Sequence, residues 1–244
     1  MQKSATLIIG ANSEIAKALA CEYFSADERL IVISRNTSHY EQAKFNGVHC
    51  IDIADYQESS IEAATRKIAK LKDDVIIGRV FICHGVLHND DVFPEKRLED
   101  FSSKAFNDVI GANTTTPMLW LKYLLPLVNS KYRCVMTFFS ARVGSIGDNG
   151  LGGWYSYRAS KAALNMLLKS AAIELGRRAK NVKLISFHPG TTDSPLSKPF
   201  SHNVAPEKLF SAEFVAKQLV DIVERSKLDG LLSYLDWQGK TIEW

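Results

Sequence analysis

The sequence predicts an α/β protein: a doubly wound parallel sheet of about seven strands in a three-layer α/β/α arrangement. Two observations point there. Short apolar runs alternate with helix-period segments along all 244 residues. Those runs are apolar throughout, as strands covered on both faces are. No linker, repeat or low-complexity segment interrupts the alternation, so residues 1–244 are expected to form one domain. Sheets of this kind take ligands at the carboxyl ends of their strands, so chemistry is sought at those ends.

The first strand run, Thr6–Ile9, ends in Gly10-Ala11-Asn12-Ser13-Glu14-Ile15-Ala16, and a helix over Ile15–Phe24 begins there. A glycine turn into a helix N-terminus suits the phosphates of a dinucleotide, because backbone N–H groups and the helix dipole both favour an anion. A plain strand-to-helix turn fits the residues equally well. Glu14 and Ala16 stand where further glycines would help. Ala16 is small enough for close packing, whereas the charge of Glu14 would repel a pyrophosphate unless it pointed to solvent.

The second run, Leu30–Ser34, ends at Ser34-Arg35-Asn36. A site selective for NAD carries an acid here for the ribose 2′-OH. A hydroxyl and a guanidinium suit a 2′-phosphate instead, so NADP(H) is favoured over NAD(H). The third run, Val48–Ile51, leads into Asp52 and Ile53. Asp52 either accepts from an adenine amino group or caps the next turn. After a helix over Ser59–Leu71, the fourth run, Arg79–Cys83, ends at His84-Gly85. Gly85 suggests close backbone approach to a ligand, while His84 is assigned no chemistry. Asp91–Asp100, charged and holding Pro94, reads as an exposed loop.

The helical segment Phe101–Val128 is expected to break near Pro117, four residues after Asn113. Backbone groups freed at a break need partners, and a water there would link Asn113 to Lys161; a simple helix irregularity is the other reading. The fifth run, Cys134–Phe139, is followed by Ser140 and Ser145, two hydroxyls able to hold a substrate carbonyl, and by a glycine-rich loop, Gly147–Gly153. A helix over Tyr157–Ala179 follows. Its Tyr157 and Lys161, four apart, share one face. A nearby ammonium favours the phenolate, and a phenol so tuned can exchange a proton near neutral pH. The pair by itself also fits an ordinary helix start with an exposed Lys. The sixth run, Val182–Phe187, ends in His188-Pro189-Gly190-Thr191-Thr192, and Leu196–Phe210 could close over a substrate. A helix over Ala212–Ser226 and a seventh run, Leu231–Leu235, complete the pattern.

Composition narrows the function classes. Hydrophobic residues make up 46% and charged residues 23% of the chain, with a net charge of +3 and no basic block, which argues against nucleic acid. The four cysteines, Cys21, Cys50, Cys83 and Cys134, are far apart and form no metal-ligand pattern. They read as reduced thiols, which places the protein in the cytoplasm. The N-terminal apolar run is too short for a signal sequence. The longest membrane candidate, Met118–Val128, is broken by Lys122 and Pro126. The helix from Tyr157 is nearly apolar all round, which predicts burial on all sides: one face on the sheet, the other on a partner subunit in a homodimer or homotetramer, or under loops.

Taken in order, Gly10, Asp52, Asn113, the pair Tyr157 and Lys161, and Pro189-Gly190 resemble the short-chain dehydrogenase/reductase family over the whole chain. Within it, Ser140–Lys161 and the C-terminal ten residues are similar to bacterial C-factor-like members, cell–cell signalling proteins. The resemblance implies a Rossmann-type fold and an NAD(P)(H)-dependent interconversion of a carbonyl and an alcohol. It implies Tyr157 as acid/base, Lys161 on the nicotinamide ribose, and Asn113 in a water relay. It places Gly10, Ser13 and Ile15 at the pyrophosphate, Ser34 and Arg35 at the 2′-phosphate, and Asp52 and Ile53 at the adenine. Gly85 passes the ribose, and Pro189, Gly190 and Thr192 lie by the nicotinamide. The family's catalytic serine falls on Ala141. Ser140, one residue off, would face the other way in an extended chain, so Ser145 is expected to fold back and replace it. A second reading of these departures is a nucleotide-binding signalling protein with little turnover.

Overall fold

The computed structural model describes residues 3–25, 28–71 and 74–244; the first two residues of the N-terminal run lie outside it. Seven strands form one parallel sheet: β1 (Lys3–Ile9), β2 (Arg29–Ser34), β3 (His49–Asp52), β4 (Val75–Ile82), β5 (Cys134–Phe139), β6 (Val182–His188) and, last in the chain, β9 (Leu232–Asp236). Their order is β3-β2-β1-β4-β5-β6-β9. Two two-residue strands, β7 (Thr191–Thr192) and β8 (Leu209–Phe210), pair in parallel outside it. The expected Rossmann-type sheet is therefore present, and its order reverses between β1 and β4, where such sheets bind ligands.

Six α-helices cover the sheet: α1 (Glu14–Tyr23), α2 (Glu58–Ala69), α3 (Ser103–Ile110), α4 (Thr116–Val128), α5 (Tyr155–Arg178) and α6 (Ala212–Arg225). Strand residues point alternately to the two faces. Leu7 and Ile9 pack with α2, α4 and α5, while Ile8 packs with α1 and α6. Each face is thereby buried. Serines at 13, 102 and 211 cap α1, α3 and α6 by accepting the N–H three residues on.

Three expectations change. β4 begins at Val75 rather than Arg79. Gly78 falls at a register shift opposite Ala5 and Thr6, which let the strand run through a residue that reads as a stop. The helix break lies at 111–115, a π-helical turn, and Pro117 sits in the first turn of α4, where its missing N–H costs nothing. Finally, of the two covers expected for the outer face of α5, loops are not found among the described residues: Met166 is 66% exposed and Ile173 51%.

Candidate active site

Gly10 ends β1 with φ +72°, and a Cβ there would lie 3.0 Å from the backbone nitrogen of His84. Only glycine lets the ends of β1 and β4 come this close. The chain then turns through Asn12 and Ser13 into α1, whose first N–H groups are those of an anion site. Glu14 lines the same cleft, its carboxylate paired 2.9 Å from the Lys17 ammonium. A cleft of about 310 Å³ runs from Asn12–Ile15 past Cys83, His84 and Gly85 to Tyr157, Lys161 and Pro189.

At its Asn12–Ser13 end the cleft meets a cavity of about 500 Å³ lined by Gly10, Ser13, Ser34, Arg35, Tyr56, His84 and Gly85. The Arg35 guanidinium lies 5.7 Å from the Tyr56 ring centre, and that ring stacks on His84 at 4.1 Å. Burial, with Lys161 and Arg35 adding, lowers the pKa of His84 to about 4; the ring is a neutral wall. Asp52 and Ile53 do not line this cavity. Asp52 accepts from the N–H (3.1 Å) and hydroxyl (3.0 Å) of Thr37, fastening the loop after Arg35 rather than capping its own next turn. Ile53 is buried in the core. Tyr56 lines it instead; the sequence signal was an aromatic just beyond a strand at this sheet edge.

Tyr157 and Lys161 stand one turn apart near the start of α5, both buried. Lys161 Nζ donates to the Phe139 carbonyl at 2.8 Å and lies 5.7 Å from the Tyr157 ring centre. The loop after β5 can pass so near because residue 144 is glycine: a Cβ there would fall 2.8 Å from Lys161 Cβ. Burial lowers the Lys161 pKa to about 7. Burial, then Tyr234, pushes the Tyr157 phenol upward. In this structure desolvation outweighs the expected ammonium effect, and both groups favour their neutral forms.

Asn113, fully buried on the π-helical turn, accepts from the Val86 N–H (2.7 Å) and donates to the Val86 carbonyl (2.8 Å) and Ser160 Oγ (3.0 Å). A Cβ on Gly85 would lie 3.4 Å from both Asn113 Oδ1 and Lys161 Nζ, so glycine keeps open the gap between them. Ser145 is not brought to the site. Its Oγ accepts from the Asp148 N–H (3.0 Å), closing the loop, and it lines neither the cleft nor the cavity beyond Tyr157. Ser140 reaches both walls, but its hydroxyl donates to Asn165 Oδ1 at 2.8 Å. Ala141 offers no hydroxyl.

Beyond Tyr157 opens a second cavity of about 330 Å³. Ile15, Leu87, Val143, Trp154, Leu196, Phe200 and Val204 supply most of its wall, with Ala141, His188, Pro189, Gly190 and Thr192. Trp154 and Phe200 meet edge to face at 5.0 Å. The stretch 196–210 is tethered as a flap by the β7–β8 pair, by Ser197 Oγ on the Thr192 carbonyl, and by His88 Nε2 with the Pro195 carbonyl at 3.2 Å. Arg142, the one charged side chain in the wall, is paired with Asp148 and Asp236, each at 3.3 Å. The C-terminal tryptophans do not line this cavity: Trp237 stacks on Phe210 at 4.4 Å and Trp244 on Tyr234 at 5.3 Å.

A nicotinamide dinucleotide fits these residues on two observations. The turn after Gly10 lines the cleft with Asn12 and Ser13, and Thr192 Oγ1 is buried without a hydrogen-bond partner among the described residues, as a group awaiting an amide would be. Sequence reasoning missed Glu95, read as exposed. It is buried and accepts from the N–H (3.1 Å) and hydroxyl of Ser156, holding the start of α5. Nothing in a charged, Pro-containing segment signalled that one of its acids turns inward. Among the described residues, no group of three or more His, Cys, Asp or Glu could hold a metal, and no helix is long and apolar enough to cross a membrane.

The family described as short chain dehydrogenase matches residues 4–205. Among curated proteins, the chain is 28% identical over 198 residues to 1-hydroxy-2-glutathionyl-2-methyl-3-butene dehydrogenase of Rhodococcus sp., covering 81% of each. It is 25% identical over 132 residues to C-signal of Myxococcus xanthus, covering 54% of this chain and 74% of that one. Among solved structures, a short-chain dehydrogenase/reductase from Burkholderia multivorans with bound NADP superposes with a TM-score of 0.79 at 22% identity, covering 99% of this chain and all of the other.

Proposed function

The chain belongs to the short chain dehydrogenases, and from that premise we propose that it reduces an uncharged, apolar carbonyl compound with NADPH. The observation that carries this reading is the position of Tyr157, which forms a wall of both the cofactor-sized cleft and the apolar cavity. A proton donor at that junction serves a reaction between the two occupants.

Residues 10–15 would hold the pyrophosphate, Arg35 and Ser34 the 2′-phosphate, Lys161 the nicotinamide ribose and Thr192 the carboxamide. When bound, the reduced nicotinamide supplies the hydride, so that carbonyl, NADPH and one proton become alcohol and NADP+. Tyr157, held in its protonated form by burial, gives its phenolic proton to the carbonyl oxygen and recovers one from solvent. Leu196, Phe200 and Val204 of the flap form one wall of the cavity. With the charge of Arg142 already paired, the wall offers no free cation to a carboxylate or phosphate substrate. NADP(H) is favoured over NAD(H) because Arg35 and Ser34 line the cavity where an acid would select NAD.

The test is a fluorescence titration with NADPH and NADH, followed by turnover assays. NADPH binds more tightly than NADH, and Arg35→Ser weakens NADPH by about tenfold, the worth of one charge-assisted hydrogen bond, while sparing NADH. With NADPH, 1-phenyl-1,2-propanedione and acetophenone are reduced faster than pyruvate. Ala141 and the diverted Ser145 favour one rival, a nucleotide-binding signalling protein; tight NADPH binding with no carbonyl compound turned over would establish that rival.

A further inference from the structure

Reduction of a carbonyl is accelerated by a second hydrogen-bond donor on the oxygen besides the proton donor. The hydroxyls considered for that task are lost or diverted: residue 141 is alanine, Ser145 faces Asp148, and Ser140 is committed to Asn165. Two buried polar side chains in the same wall are uncommitted among the described residues: Thr192, assigned above to the carboxamide, and His188. We infer that His188 is the donor to the substrate carbonyl oxygen, an inference that rests on the reductase reading above.

Strand register places it. Phe187 of β6 pairs with Phe139 of β5, so His188 lies beside Ser140. Ser186 and His188, two apart, share a face of the strand. The Oγ atoms of Ser186 and Ser140 both donate to Asn165 of α5, at 2.6 and 2.8 Å. His188 therefore stands on the α5 side of the sheet, the side of Tyr157, and it lines the same cavity as Tyr157 and Ala141. Neither ring nitrogen has a hydrogen bond within the described chain, and Nδ1 is buried without a partner. An unpaired polar ring is costly to bury unless a ligand relieves it. The ring is also in the right charge state. Burial, with Arg142 adding and Asp236 opposing, lowers its pKa to about 4. At neutral pH it is an uncharged imidazole with one N–H to give, a kind of donor that polarises a carbonyl without competing with Tyr157 as acid.

The test compares wild type with His188→Leu, His188→Asn and His188→Gln, using NADPH and 1-phenyl-1,2-propanedione. His188→Leu should lower kcat by about 10²–10³-fold, the usual loss for one such donor, with NADPH affinity and thermal midpoint unchanged. Asn and Gln place an amide N–H near the positions of Nδ1 and Nε2; one of them should recover at least about tenfold and so identify the donating nitrogen. A second readout needs no turnover. In the complex with NADP+ and carbonyl-labelled acetophenone, the carbonyl stretch should fall in wild type and return toward its free frequency in His188→Leu. A kcat within about threefold of wild type, or an unmoved stretch, overturns the inference, as does a loss matched by equal loss of NADPH binding. Wild type inert toward every carbonyl compound sinks the reductase reading instead, and the carbonyl stretch then decides separately whether His188 meets the oxygen.

Discussion

Lys161 and Tyr157 occupy a site dry enough to invert the usual order of charge effects. Lys161 is 3% exposed, and its pKa falls to about 7 against 10.5 for a free lysine. Between those two values the unfolded chain holds more protons than the folded one, so stability rises with pH across that window. Below about pH 7 both states are protonated and the cost of the buried ammonium is fully present. Lys161→Met should therefore raise the thermal midpoint at pH 7 by at least about 2–4 °C, the shift that 1 kcal/mol gives a chain of this size. The advantage should fade as pH approaches 10. A melting series over that range checks the sign. Binding of the dinucleotide should then cost wild type less than it gains, because an anion or hydroxyl beside Lys161 returns a partner to the ammonium.

The start of α5 shows how one element sets a site. Trp154 precedes the helix at φ 53°, a left-handed conformation that a bulky residue adopts only when held there. Its N–H donates to the Glu95 carbonyl at 2.6 Å, and the Glu95 carboxylate takes the N–H and hydroxyl of Ser156. A carboxylate also complements the positive end of the helix dipole. Tyr157 is the next residue, so this clamp fixes the phenol. Glu95→Ala should destabilise the fold by about 1–3 kcal/mol in urea denaturation and reduce turnover. Glu95→Gln, which keeps one acceptor, should lose less of both. The π-helical turn at 111–115 acts similarly, because it presents Asn113 to Val86 and Ser160 and locks the loop after β4 to α5.

At the scale of the molecule, the outer face of α5 is an apolar surface without a cover among the described residues. Met166, Leu167 and Ile173 stand exposed along it at helical spacing, on a helix whose inner face is buried against the sheet. We propose that a second copy of the chain covers this face, giving the expected homodimer or homotetramer. Met166→Glu combined with Ile173→Glu should shift the sedimentation of the protein to that of a 27.2 kDa monomer; wild type already sedimenting as a monomer would refute the proposal. The flap is the other whole-molecule feature. Its anchors come from distant parts of the chain, with His88 on Pro195 and Phe200 on Trp154. Substrate access thus depends on contacts between loops, not on any one of them.

Local pattern determined the seven strands, the parallel layering and the ordered set Gly10, Tyr157, Lys161 and Pro189-Gly190. Apolar runs, turn residues and four-residue spacing are properties of neighbours in the chain, so they could be read before folding. Where a hydroxyl or carboxylate finally points is decided by what the fold brings beside it. Ser145 was expected at the carbonyl but met Asp148; Asp52, open in sequence to an adenine or to its own next turn, met Thr37. Glu95, unremarkable in sequence, became buried and His188 became part of the cavity wall because Ser156 and the rest of that wall came to them from elsewhere in the chain. Burial itself, which lowered the Lys161 pKa to about 7 and kept Tyr157 protonated, exists only once the chain has closed around them.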